Sequence, residues 1–503
     1  MKKILISFIL VSVFAILAPA RETVRILAIG NSFSEDAVEQ NLHEIAAADG
    51  IDLIIGNMYI GGCTIDRHVG NVRSDSDDYA YRKIGVNGVK KETAHYRLSQ
   101  AIKDEKWDYV SVQQASGVSG VFESYAQLPE LVAWVRENAP GAEVVFHQTW
   151  AYASDSQHPE FPNYDRDQRK MTEMIKFAST RNARKARINT IIPCLEAIRI
   201  ARESNPETSI TRDGYHLDKR FGRYVAAATW YATLSGKRVS GNSYCPEKVT
   251  EKELKSAQRA ADAAVFGWGP AKVVPGVIEP GTQSGLYEGH KNYGKSIAVF
   301  GGSLSVNRES NAAKQIWADE LHSTVTTYGV GGAGFARGQG FDLQKQVDMA
   351  GVHDIYVLWA STNDFTNSQD IGTWSDYTDI DGFDEFARYT QCGGINYCIK
   401  TLLEKNPDAQ IYFFTSLRFF SREEGHNPFS ERSNSAGGNF AAYVAGQKAC
   451  CEYFCIPVLD QFNLQGVNEY NYKRFYLNDS LHMNEDGYRR IGPVQAAFLA
   501  DGK

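Results

Sequence analysis

Ile297-Ala298-Val299-Phe300-Gly301-Gly302-Ser303-Leu304-Ser305 is the stretch that decides how the chain is read. Four apolar residues in succession predict a buried strand. The two glycines behind them permit a sharp turn and close backbone approach. Ser303 then stands at the carboxyl end of that strand, where open α/β sheets hold their chemistry. Taken alone, the same serines serve equally well as caps of a following helix.

Far downstream, Asp479-Ser480-Leu481-His482 sets a carboxylate three residues before an imidazole. That spacing lets the acid hold one ring nitrogen while the other takes a proton from a serine. A lone pair of this kind also occurs as a surface hydrogen bond, so repetition matters more. Val24-Arg25-Ile26-Leu27-Ala28-Ile29 runs into Gly30-Asn31-Ser32, and Asp213-Gly214-Tyr215-His216 follows later. Serine and histidine lie 184 residues apart in the first copy and 179 in the second. Gly61-Gly62 follows Ser32, and Gly331-Gly332 follows Ser303 at nearly the same interval. The chain reads as one module written twice.

These blocks resemble the SGNH (GDSL-type) hydrolases. That family has a serine after the first strand, a glycine after the second, an asparagine after the third, and Asp-x-x-His near the end. The second half matches at Ser303, Gly332, Asn363 and Asp479/His482. The first matches at Ser32, Gly62 and Asp213/His216, but its third strand segment ends in Gln113-Gln114 rather than an asparagine block. The resemblance implies two tandem flavodoxin-like, three-layer α/β domains with parallel sheets. It implies Ser303 as nucleophile, His482 as base and then acid, and Asp479 as its orienter. Gly332 and Asn363 would serve the oxyanion hole. Ser32, His216, Asp213 and Gly62 take the same roles in the first half, with Gln114 favoured as the amide donor on strand register. Gly302 and Asn31 stand where the family has aspartate. No cofactor and no metal are expected.

The βαβ alternation independently predicts parallel sheets with helices on both faces. Met1–Ala20 reads as a signal peptide, with Lys2 and Lys3 before an apolar run and small residues at its end. Residues 21–266 form the expected first domain, 267–294 a Pro/Gly-rich linker, and 295–503 the second domain. Val72 to Lys91 and the Phe161–Tyr164 stretch are expected as surface loops that could shape a pocket. Cys392 and Cys398, among eight cysteines, are the expected disulfide candidates in a glycine-containing loop. Cys450, Cys451 and Cys455 complete no zinc spacing and are expected as small buried hydrophobes.

A net charge of −7 without a basic stripe argues against nucleic acid as partner. The expected partner is an acylated small molecule or glycan, with no stable membrane insertion after signal cleavage. The expected function is an exported carboxylic-ester hydrolase deacetylating complex carbohydrate. The alternatives are a carbohydrate-binding protein with one degenerate module, or a lipase-type hydrolase.

Overall fold

The computed structural model describes residues 23–266, 275–338, 342–379, 384–420 and 433–502. The predicted signal peptide therefore lies outside the described residues. Seven strands build a first sheet: β1 (Thr23–Gly30), β2 (Asp52–Tyr59), β3 (Tyr79–Ile84), β4 (Lys90–Tyr96), β5 (Tyr109–Val112), β6 (Glu143–His147) and β7 (Thr190–Ile192). Their order is β4-β3-β2-β1-β5-β6-β7. Only β3 and β4 run antiparallel to their neighbours.

The second sheet contains β8 (Gly276–Ile278), β9 (Ile297–Gly301), β10 (Val325–Thr327), β11 (Ile355–Trp359), β12 (Gln410–Phe414) and β13 (Val458–Leu459). Its order is β13-β12-β11-β9-β10-β8, with β8 antiparallel. Without the antiparallel edges, each sheet has five parallel strands in the spatial order 2-1-3-4-5 of its own chain. That is the doubly wound order of flavodoxin-like folds, whose switch point lies beside the first strand. The expected α/β fold with two mostly parallel sheets is the observed one.

Alternation along the inner strands shows the three layers. Ile26 and Ala28 join one apolar core and Leu27 and Ile29 the opposite one. Ile297 and Val299 divide from Ala298 and Phe300 in the same way. Successive side chains of a strand face opposite ways, so a strand apolar throughout must be covered on both sides. In the second domain, Trp317, Trp359 and Phe414 pack with ring centroids 5.6–5.7 Å apart. Aromatic contacts at such offsets add about 1 kcal/mol each beyond their buried area.

Three expectations need correction. The Val72–Lys91 stretch is no loose excursion: it completes a helix (Ile65–Ser74), supplies β3 and begins β4. Tyr79, Tyr81 and Ile84 of β3 are buried, whereas β4 lies exposed along the sheet edge, which is why the stretch is mostly polar. The predicted linker is not free either, in its described part. Gly276–Ile278 pairs with β10, and Asn292 donates to Tyr412 Oη and to the Leu499 carbonyl at 2.6 Å each. Finally, Cys392 and Cys398 lie six residues apart on one helix, Gln391–Lys405, and are buried, unbonded thiols. A helix holds residues at that spacing apart along its axis, so they cannot bridge.

Candidate active site

Both serines are placed by the same local event. Each inner strand ends in glycine, the chain turns, and a short helix begins at the serine: Ser32–Val38 after β1 and Ser303–Val306 after β9. Glycine is needed at the strand end because any Cβ on Gly301 would fall 2.4 Å from Ser305 Oγ and 2.6 Å from the Trp359 carbonyl.

In the second domain, Ser303 Oγ lies 2.8 Å from His482 Nε2, and His482 Nδ1 lies 2.7 Å from Asp479 Oδ2. The other Asp479 oxygen accepts the backbone N–H groups of Leu481 and His482, each at 2.9 Å. Burial raises the Asp479 pKa, but these bonds outweigh it and hold the carboxyl below its ordinary value. In the first domain the corresponding distances are 2.8 Å from Ser32 Oγ to His216 Nε2 and 2.7 Å from His216 Nδ1 to Asp213 Oδ2. Asp213 accepts the N–H groups of His216 and Tyr215, and is likewise lowered overall despite burial. The structure thus brings together all six predicted triad residues as two separate constellations.

Gly62 and Gly332 end the second parallel strand's exit turn in each sheet, with φ of +63° and +83°. Side chains rarely adopt that conformation, which accounts for glycine at both places. The turns are tied to the serine strands, Ile60 N–H reaching the Gly30 carbonyl and Val330 N–H the Gly301 carbonyl. Asn363 follows β11, and its Nδ2 donates to the Ala333 carbonyl at 2.8 Å and to Ser361 Oγ at 3.0 Å. This puts a side-chain amide beside the Gly332 turn and the residue preceding Ser303.

Gln114 departs from expectation. Its Nε2 donates to the carbonyl and hydroxyl oxygens of Ser124, and its Oε1 accepts from Ile65 N–H and Ala115 N–H. Both amide hydrogens are engaged by Ser124 in this arrangement, within Gln114's own loop rather than at the serine turn. Strand register explains the difference: β1 and β5 pair Ile29 with Val112, so the next position, Gln113, comes level with Gly30. Gln113 is the glutamine that reaches the serine loop, donating to Asn31 Oδ1 at 2.8 Å.

One further residue was not legible in the motifs. Asp36, four residues after Ser32, is fully buried and accepts Leu217 N–H at 2.7 Å, beside His216. Burial holds its carboxyl above the ordinary value, and Arg223 and Arg212 oppose that shift only in part. It therefore ties the helix of Ser32 to the loop of His216. In the second domain a different device closes the gap: Tyr488 Oη donates to the Leu304 carbonyl at 2.7 Å.

Residues 25–264 match the family model of a domain of unknown function, DUF4886, and residues 293–490 that of the GDSL-like lipase/acylhydrolase family. A crystallised DUF4886 family protein from Bacteroides uniformis is 49% identical, over 48% of this chain and 95% of its own, with a TM-score of 0.48. A protein from Lactobacillus plantarum is 19% identical over 41% of this chain and 97% of its own, TM-score 0.35. A Chitinophaga pinensis protein described as a possible lipase is 17% identical over 41% and 97%, TM-score 0.32. No curated protein matches the chain.

Proposed function

The first half of the chain belongs to the DUF4886 family, and from that premise we propose that the whole protein is a serine esterase with two active sites. The second half carries a GDSL-type hydrolase domain, which supports an esterase or lipase-type hydrolase. The single observation that carries the two-site reading is that both serine hydroxyls lie 2.8 Å from an imidazole nitrogen whose ring is held by a carboxylate.

In this reading His482 Nε2 takes the Ser303 proton as Oγ attacks the ester carbonyl. Asp479 keeps the proton-bearing Nδ1 in place and stabilises the imidazolium. The developing oxyanion is held by the backbone N–H groups of Ser303 and Gly332. Asn363 exchanges one of its two donors to join them. His482 then protonates the departing alkoxide. A water, deprotonated by the same nitrogen, releases the acid from Ser303. Ser32, His216, Asp213 and Gly62 run the same steps in the first domain.

The proposed substrates are acetyl esters of complex carbohydrate, met outside the cell after removal of the Met1–Ala20 segment. Solvent access supports a bulky polar substrate over a long acyl chain. The triad carboxylate side chains are 37% and 31% exposed and the imidazoles 18% and 21%, so neither site sits at the end of an enclosed apolar tunnel. No described helix is long and apolar enough to cross a membrane.

The test is hydrolysis of acetylated glycans and of short-chain and long-chain aryl esters by the full chain, Ser303→Ala, Ser32→Ala and the double variant. The reading expects acetyl release, a partial loss in each single variant and no activity in the double. Preference for long-chain esters would make the protein a lipase-type enzyme. Turnover unaffected by Ser32→Ala would leave the first domain a binding module.

A further inference from the structure

Gln113 and His147 take no part in either triad, yet they bury an amide and an imidazole at the centre of the first sheet. They stand at adjacent strand ends, one position beyond the Val112–Phe146 pair. In the second sheet the residue level with Gly301 is Trp359, and its partner on β12 is Phe414. Those two rings meet edge-on at 5.7 Å. Replacing such a pair by polar groups is costly unless every group finds a partner. Gln113 is bonded through both amide atoms and His147 through Nδ1, while the buried His147 Nε2 has no partner among the described residues; the bonds lead to Asn31, the residue before Ser32.

One backbone donor fixes the whole chain of bonds. Phe33 N–H can only donate, and it faces Asn31 Oδ1 at 3.0 Å. The Gln113 atom 2.8 Å from that same oxygen must then be Nε2. Gln113 Oε1 faces His147 Nδ1 at 2.8 Å, so Nδ1 carries the proton. Burial pushes the His147 pKa down to about 3, which keeps the ring neutral. At the other end Asn31 Nδ2 donates to the Cys63 carbonyl at 3.0 Å.

Cys63 follows Gly62 as Ala333 follows Gly332, and Ala333 is the residue whose carbonyl receives Asn363 Nδ2. A Cβ added to Gly302 would lie 2.7 Å from that nitrogen. The two domains therefore fill one space with an amide from opposite directions. The first reaches in from the residue before the serine, and the second from the loop after the third parallel strand.

We propose that Asn31, locked by Gln113 and His147, is the first site's counterpart of Asn363 and the positioning residue that sets the Gly62 turn against the oxyanion of Ser32. The inference rests on the reading that Ser32 is a nucleophile. Asn31→Asp removes the donor to Cys63 and sets a negative charge against its carbonyl. Gln113→Leu with His147→Phe removes the lock and restores an apolar pair.

The experiment uses the full chain in a Ser303→Ala background, measuring phosphonylation of Ser32 by a fluorophosphonate and hydrolysis of p-nitrophenyl acetate. Asn31→Asp is expected to slow labelling and lower kcat by about tenfold or more at unchanged KM. The Gln113/His147 double variant is expected to lower kcat in the same sense. Should Asn31→Asp fail to fold, Asn31→Gly, the residue found at the matching place in the second domain, reads the same loss. In the parent, ¹⁵N shifts at about pH 5 should report a neutral His147 protonated on Nδ1. Wild-type labelling and kcat in the Asn31 variants, or a His147 protonated on Nε2, overturns the inference. No labelling with Asn31 intact overturns the two-site reading itself, and the inference with it.

Discussion

Replacing Gly302 by alanine tests how the second site is assembled. Gly302 has φ −93° and ψ −158°, a conformation open to any residue, so the backbone does not oppose the change. Space does. The new Cβ would sit 2.7 Å from Asn363 Nδ2, 2.7 Å from the Ala333 carbonyl oxygen and 2.9 Å from Ser361 Cβ. The carbonyl belongs to a packed turn, whereas Asn363 is partly buried and can swing. Overpacking of this kind costs about 1–3 kcal/mol. Displacing one oxyanion donor removes about a hundredfold or more from turnover. Activity should therefore suffer more than stability. The assay is kcat and KM for p-nitrophenyl acetate in a Ser32→Ala background, with urea unfolding followed in parallel. The expected result is a fall in kcat of about two orders of magnitude, with KM little changed and the fold retained. Unaltered kcat would refute both the placement of Asn363 and its role.

Two other consequences are open to measurement. Lys314 is 1% exposed and donates to the Ser305 carbonyl at 2.7 Å, and burial pushes its pKa down to about 8. Between that value and the ordinary lysine range the unfolded chain holds more protons than the native one, so Lys314 makes stability rise with pH there, by at most about 3 kcal/mol. In Lys314→Met the wild-type-minus-variant difference in urea midpoint should become more positive between about pH 7 and pH 10, and a constant or falling difference would contradict it. All eight cysteines are free thiols, with Cys245 and Cys455 exposed and the other six buried. Under native conditions a thiol reagent should consume two equivalents quickly and the rest only on unfolding; two fast sites other than these would contradict the packing.

The sequence by itself determined the strand-turn-serine units, the doubled layout and the pairing of each serine with an Asp-x-x-His block. These are local patterns: the continuous apolar runs Ile26–Ile29 and Ile297–Phe300 imply burial on both faces, and the three-residue spacing brings acid and imidazole together within one loop. Only the tertiary structure decided which glutamine faces the site. A one-residue step along β5 exchanges Gln113 for Gln114, and the side-chain period of a strand makes that step a choice between opposite faces. The polar stretch Tyr79–Tyr96 concealed β3 and the edge strand β4, because β4 is exposed along nearly its whole length and buries too little for an apolar pattern to stand out. Asp36 and Leu217 lie 181 residues apart and meet only because the sheet brings the serine helix against the histidine loop. The site's chemistry was written in short motifs. Its alignment depends on long-range register, which no local pattern carries.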